Sequence, residues 1–360
     1  MTYRRLDTRR TRILLLAGSI VISALGGGLA LWWLWPTPPP GITSEFSFYD
    51  QWGRPISARV GGLKLMLDPA TIYANFPGQR TATFTVDADG YRGTPRRPGR
   101  PQLAVLGGSG AFGWLLPSDR ATFAWLLAER LEGYDVVNAG VIGFQSGQEL
   151  SQMVHRLDNP RMAAYVVYDG WNDLFDHIGE ATVQRPEPVL GFNNTFLLIQ
   201  DRLWEFHRSQ GARSAERGRL APPRLPNMPM DEYVAIITAT YLRNLDRMHA
   251  FARAREARFL LVLQPDISSK PQLSAEERHV LATWDTAKRY VQSGFPVRYA
   301  AMRRAALEFC AARRIPCMDV AAEPGFQAEG ANLFIDTVHL NERGQKMVAE
   351  LIERRLRDPR

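Results

Sequence analysis

The chain has 360 residues, 45% of them hydrophobic and 22% charged, which suits one large globular domain or two small ones with a sizeable core. Its formal net charge of +7 is concentrated at the start: five arginines and Asp7 give +4 within residues 1–12, leaving only +3 for the rest. So mild a balance gives no basis for nucleic-acid binding, and no internal repeat or long low-complexity tract is present.

Residues 1–12 form a basic cytoplasmic tail. Residues 13–35 carry no charge, and as a helix they would span roughly 35 Å, enough to cross a bilayer. Arg4, Arg5, Arg9, Arg10 and Arg12 precede them, so the positive-inside rule keeps the N-terminus in the cytoplasm. Trp32, Trp33 and Trp35 sit at the far end, where indoles prefer the headgroup layer. A cleaved signal peptide is the alternative, but the apolar stretch is long for one and lacks a clean small-residue cleavage site. The expectation is a retained single-pass anchor in a bacterial inner membrane, with the remainder periplasmic. A stiff Pro-rich linker follows over 36–44.

Residues 45–100 read as a small β-rich lead-in, with strands at Glu45 to Tyr49 and Leu63 to Leu67, ending in Asp89-Gly-Tyr-Arg92. From 101 to 360 strand and helix alternate. Strands are predicted at Gln102 to Gly107, Tyr134 to Asn138, Ala163 to Tyr168, Phe259 to Gln264 and Ile315 to Val320. Helices are predicted at Thr122 to Leu131, Gln148 to Leu157, Asp231 to Arg255, Arg298 to Arg313 and Glu342 to Arg357. An insertion rich in Pro, Arg and aromatics runs from about 176 to 230 without a clear period. Such alternation predicts a parallel sheet with helices on both faces, and ligands of these sheets sit at the carboxyl ends of the strands.

Three polar motifs follow strands or close the domain. Ser109 lies in Gly107-Gly-Ser-Gly110, a turn that exposes its hydroxyl and its N–H. A serine hydroxyl is a poor nucleophile until a base takes its proton. Asp336-Thr-Val-His339 offers that base: Asp336 can fold back to the imidazole Nδ1 and leave Nε2 free to accept a proton. Asn341 suits the N-cap of the last helix and so releases Asp336 from that task. Donors for a developing oxyanion are the Ser109 N–H, the Gly143 N–H and the amide of Asn172 in Gly170-Trp-Asn-Asp173, for which loop capping is the alternative. Gly108 to Gly113 also spells G-x-G-x-x-G, but a dinucleotide site expects an acid at the end of the second strand, and that position is Asn138. No cofactor is therefore expected. Cys310 and Cys317 fall at a helix end and a strand start, compatible with a disulfide or with two buried thiols. With no nearby histidine pair they do not make a zinc site, and no metal is expected.

These blocks resemble the SGNH (GDSL-type) hydrolase superfamily over roughly residues 95–357. The resemblance assigns the nucleophile to Ser109, the oxyanion-hole glycine to Gly143, the block asparagine to Asn172, and the base and its orienting group to His339 and Asp336. One departure stands out: the aspartate usual before the nucleophile is Gly108 here. The resemblance implies a three-layer α/β/α flavodoxin-like fold with a central parallel sheet of about five strands, preceded here by the transmembrane helix. It implies a serine esterase acting on O-acyl esters, with an O-acetylated envelope carbohydrate as the expected substrate. The alternatives are an O-acyltransferase with the same residues, and a non-catalytic envelope binding or scaffold protein. Trp171 and Trp204 offer an aromatic wall for a sugar, or simply core. No motif specifies a protein partner.

Overall fold

The computed structural model describes residues 46–49, 55–57, 62–178, 229–283 and 290–358. The anchor at 13–35, the linker, most of the insertion and Trp204 lie outside them. Among the described residues no helix is long and apolar enough to cross a membrane.

The order of elements begins with four short strands: β1 (Phe46–Tyr49), β2 (Pro55–Ser57), β3 (Leu63–Asp68) and β4 (Ile72–Asn75). They form a sheet in the order β2-β1-β3-β4, parallel only between β1 and β3. Strand β5 (Gln102–Gly107) leads to a one-turn helix α1 (Ser109–Phe112), then α2 (Phe123–Arg130), β6 (Asp135–Asn138) and α3 (Ser146–His155). Strand β7 (Met162–Asp169) precedes α4 (Trp171–Ile178) and α5 (Met230–Ala254). Then come β8 (Arg258–Leu263), α6 (Ala275–Thr283), α7 (Phe295–Arg313), β9 (Cys317–Asp319), α8 (Pro324–Gln327) and α9 (Glu342–Arg357).

Strands β5 to β9 form one five-stranded, wholly parallel sheet in the order β6-β5-β7-β8-β9. Every residue of β5 and β6 is buried, as the two-faced burial of a parallel sheet requires. Helices α2 and α9 pack together, while α3, α4 and α7 contact α5, so the sheet lies between two helical layers. This is the α/β/α flavodoxin-like arrangement. The order in which strands are added reverses between β5 and β7, and the crevice outside their carboxyl ends is where such sheets bind ligands.

The lead-in shares a core with the sheet domain. Leu63, Leu65, Tyr73, Phe84 and Val86 are buried together with Phe112, Val141 and Phe144. Tyr73 meets Phe144 edge-on at 5.3 Å, and Phe84 meets Phe112 in the same way at 5.3 Å. Arg92 N donates to the Asn138 carbonyl at 3.0 Å, and Thr94 Oγ1 to that of Val136 at 2.7 Å, so the end of the lead-in runs along β6.

Candidate active site

Gly107 has φ +144°, and a Cβ on it would lie 2.3 Å from the Tyr168 carbonyl oxygen, so only glycine lets β5 turn this close beside β7. The turn opens α1 with Ser109, whose carbonyl accepts from the N–H groups of Gly113 and Trp114, both at 2.9 Å. The hydroxyl therefore stands at the carboxyl end of β5, beside the reversal point.

His339 and Asp336 occupy a tight loop. Ile335 N donates to the His339 carbonyl at 2.8 Å and Asn341 N to that of Leu333 at 2.8 Å. Asp336 Oδ1 accepts from Val338 N at 2.8 Å and His339 N at 2.7 Å, leaving Oδ2 to face His339 Nδ1 at 2.5 Å. Nε2 of the same ring lies 2.7 Å from Ser109 Oγ. With the ring proton on Nδ1, Nε2 is the acceptor for the serine proton. Burial pushes the Asp336 carboxyl up, but the charge and hydrogen bonds of His339, with the Val338 N–H, hold it below the ordinary range. Asn341 caps α9 by accepting from Gly344 N at 3.1 Å, a task separate from that of Asp336.

This loop is braced from below. Ile267 N donates to the Thr337 carbonyl at 2.9 Å. Lys270 and Glu277, both fully buried, pair at 2.5 Å; Lys270 also donates to the Ala331 carbonyl, and Glu277 accepts from Leu333 N at 2.9 Å. Sequence reasoning missed this pair, because nothing local marks a lysine that will be buried.

Gly143 lies in the turn between β6 and α3 with φ +74°. Asn172, at the start of α4, donates through Nδ2 to the neighbouring Phe144 carbonyl at 2.7 Å. Gly108 joins these parts. A Cβ there would lie 2.2 Å from Asn172 Nδ2 and 3.2 Å from the Phe144 oxygen. The structure thus brings Ser109, Asn172 and the Gly143 turn to one place, with the Asn172 amide filling the space an aspartate at 108 would need.

Asp173 fastens the same region. Its carboxylate accepts from Ser146 N at 3.0 Å and Ser146 Oγ at 2.5 Å, and Asn244 Nδ2 donates to that hydroxyl at 3.0 Å. Burial pushes the Asp173 carboxyl up to about 6 against the opposing Ser146 bonds. Burial first, and neighbouring carboxylates second, also push Glu149 and Asp169 well above the ordinary range. Both Glu149 oxygens are buried with no hydrogen-bond partner, as is Oδ2 of Asp169.

Trp171 is core rather than wall: it is 7% exposed, stacks on Phe175 at 3.9 Å and tilts against Phe295 at 5.2 Å. Cys310 in the last turn of α7 and Cys317 at the start of β9 are free, so no disulfide joins them. They lie close together, and each thiol is the largest influence on the other's pKa, lowering that of Cys310 and raising that of Cys317. Among the described residues no group of three His, Cys, Asp or Glu side chains is placed to hold a metal ion.

The family model described as GDSL-like Lipase/Acylhydrolase matches residues 105–347. No curated protein is similar to the chain. Among solved structures, the lipase/acylhydrolase from Enterococcus faecalis is 17% identical with a TM-score of 0.40, covering 72% of this chain and 98% of that one. A GDSL-like lipase from Bacteroides thetaiotaomicron is 14% identical with a TM-score of 0.39, covering 71% of this chain and 88% of that one.

Proposed function

Because the chain belongs to the GDSL-like lipase/acylhydrolase family and is a hydrolase of the esterase or lipase type, we propose that it is a serine esterase that works through Ser109, His339 and Asp336. The observation that carries this reading is the unbroken chain from Asp336 Oδ2 to His339 Nδ1 at 2.5 Å and from His339 Nε2 to Ser109 Oγ at 2.7 Å. Nucleophile, base and orienting group are thus within hydrogen-bond reach before any substrate binds.

In the reaction, Ser109 Oγ attacks the ester carbonyl carbon as His339 Nε2 takes its proton. The carbonyl π electrons move to oxygen, and the resulting anion faces the Ser109 N–H, the Gly143 turn and the Asn172 amide. Collapse breaks the bond to the alkoxy oxygen, which receives the proton from His339. Water then repeats the sequence on the acyl-serine, releasing a carboxylic acid and restoring Ser109. Asp336 stays ionised throughout and holds the ring with Nε2 toward the serine.

The substrate class of this proposal is an O-acyl, principally O-acetyl, ester of an envelope carbohydrate. Its support is the uncharged stretch 13–35 with arginines before it and prolines after it, read as an inner-membrane anchor that holds the enzyme on the periplasmic side. The organisation that goes with it is a cytoplasmic tail over 1–12, a linker over 36–44 and a catalytic part interrupted by the insertion at about 176–230.

The test is intact-mass measurement of the full-length protein in mild detergent after exposure to a fluorophosphonate. One adduct is expected on wild type, none on Ser109→Ala, and much slower labelling of His339→Asn. No adduct on folded wild type removes the catalytic reading. Release of acetate from an O-acetylated oligosaccharide tests the substrate; equal turnover of long-chain acyl esters overturns the acetyl preference.

A further inference from the structure

Asp89-Gly-Tyr-Arg92, at the end of the lead-in, has no part in the chemistry above, yet Arg92 is 2% exposed and is among the largest fully buried side chains. Its Nη1 donates to the Phe112 carbonyl at 2.7 Å and to the Gly113 carbonyl at 2.6 Å. Asn138, fully buried at the end of β6, donates through Nδ2 to the Ala111 carbonyl at 3.1 Å. Three consecutive carbonyls of the turn that starts at Ser109 are therefore held by two side chains from outside that turn. A one-turn helix leaves these carbonyls without helical partners, and burial without donors would be costly.

The guanidinium is itself held from its other edge. Its Nε donates to Asp119 Oδ1 at 2.9 Å and its Nη2 to the Thr83 carbonyl at 3.2 Å. Asp119 is fixed in turn by Thr85 N at 3.0 Å and Thr85 Oγ1 at 2.7 Å. The cation lies 4.8 Å from the Phe112 ring centroid and 5.7 Å from that of Phe84. Asn138 extends the network to the second half of the site: its Oδ1 accepts from Gly140 N at 3.1 Å, at the entry to the Gly143 turn. Gly140 packs so closely that a Cβ on it would lie 2.3 Å from Phe112 N. A planar fork with donors on both edges is needed to span Asp119, Thr83 and two adjacent carbonyls at once; a lysine has no such geometry.

We propose that Arg92 is a positioning residue for Ser109, clamping the far end of the nucleophile turn so that Oγ is held in line with His339 and the oxyanion donors. The proposal rests on Ser109 being the nucleophile. It makes the lead-in a working part of the active site. Loss of the clamp leaves Ser109, His339 and Asp336 in the chain but lets the turn shift, and a displacement of about 1 Å is enough to cost roughly 100-fold in rate.

The test uses full-length Arg92→Lys and Asp119→Asn, the first keeping charge and stem, the second keeping Arg92 but removing its anchor. Leu351→Ala, at a buried position of α9 outside the site, is the control for general destabilisation. In folded protein, Arg92→Lys is expected to lower kcat on a chromogenic acetyl ester and the fluorophosphonate labelling rate by about 10- to 100-fold, with KM within about twofold. Asp119→Asn is expected to fall between it and wild type, and Leu351→Ala to match wild type. Arg92→Ala supplies the last readout, partial recovery of kcat with millimolar ethylguanidinium. Wild-type kcat and labelling in Arg92→Lys, or losses no greater than in Leu351→Ala, overturn the clamp while leaving Ser109 as nucleophile. Failure of wild type itself to label strikes the underlying reading instead, so the two failures are distinct.

Discussion

At Gly108 a missing side chain decides where Asn172, the proposed oxyanion donor, can stand. The Cβ of any other residue would come within 2.2 Å of Asn172 Nδ2, so Asn172 would have to swing away from the Phe144 carbonyl that it now meets at 2.7 Å. Asn172 is a flexible side chain and can move at small cost in stability, but it moves out of the oxyanion position proposed for it. Gly108→Ala is therefore expected to keep the melting temperature within a few degrees while lowering kcat by about 100- to 1,000-fold, the usual loss for one oxyanion donor. Steady-state kinetics on a small acetyl ester check this; unchanged kcat would mean that Asn172 does not serve the anion. The sequence shows Gly108 only as a departure from the family's aspartate. The Asn172 amide that fills its place is brought there by the fold, in a contact between residues far apart in the chain. Asn138 is similar: as a residue type it signalled only the absence of a dinucleotide acid, and its grip on Ala111 belongs to the fold.

At the scale of elements, the buried parallel strands were the most legible part, since strands covered on both faces read as continuous apolar runs. Gln102–Gly107 and Glu342–Arg357 have the bounds that pattern predicts, whereas β9 is shorter than its apolar run, Cys317–Asp319, because Ile315 and Pro316 precede the paired stretch. Helix α4 carries its apolar residues Trp171, Leu174, Phe175 and Ile178 at helical spacing, but it is only eight residues long, too short for that spacing to mark a helix by itself. The seam between lead-in and sheet was not legible either, because it is made by charges whose partners are distant. Arg96 grips Asp135 with Nε at 2.9 Å and Nη2 at 3.0 Å, and Arg97 N adds a bond at 2.8 Å. Burial pushes the Asp135 carboxyl up, but these donors outweigh it and hold it at about 2. A carboxylate whose folded pKa is depressed contributes stability above its unfolded pKa, about 4, and loses it as the pH falls toward the folded value. Arg96→Ala is thus expected to cost about 1 to 2 kcal/mol at pH 7, with the gap to wild type closing between about pH 4 and 2. Urea unfolding across that range measures it; a gap independent of pH would assign the loss to packing of the arginine stem.

For the whole molecule, the residues at the switch point arrive from every part of the described chain. Ser109 comes from the end of β5, Asn172 from the end of β7, His339 from the loop before α9, and Arg92 from the lead-in. The sequence separates residues 45–100 from the sheet domain by their pattern of short strands, yet Phe112, Val141 and Phe144 complete their core with Leu63, Leu65, Tyr73, Phe84 and Val86. Removing the lead-in would expose those three side chains, strip two carbonyls of the Ser109 turn of Arg92, and leave Asp135 buried without Arg96. Each loss alone is of the size that destabilises a domain by about 1 to 5 kcal/mol, against a total stability of about 5 to 15. A chain beginning at residue 101 is therefore expected to show no cooperative thermal transition and no fluorophosphonate adduct, while one beginning at residue 46 unfolds cooperatively and labels at the full-length rate. Calorimetry and intact mass on the two truncations decide it. Cooperative unfolding and full labelling of the shorter chain would make the sheet domain self-sufficient and the lead-in an accessory; their absence makes the nucleophile turn and its buffer of distant contacts one folding unit, in which the groups that hold Ser109 in place also close the core.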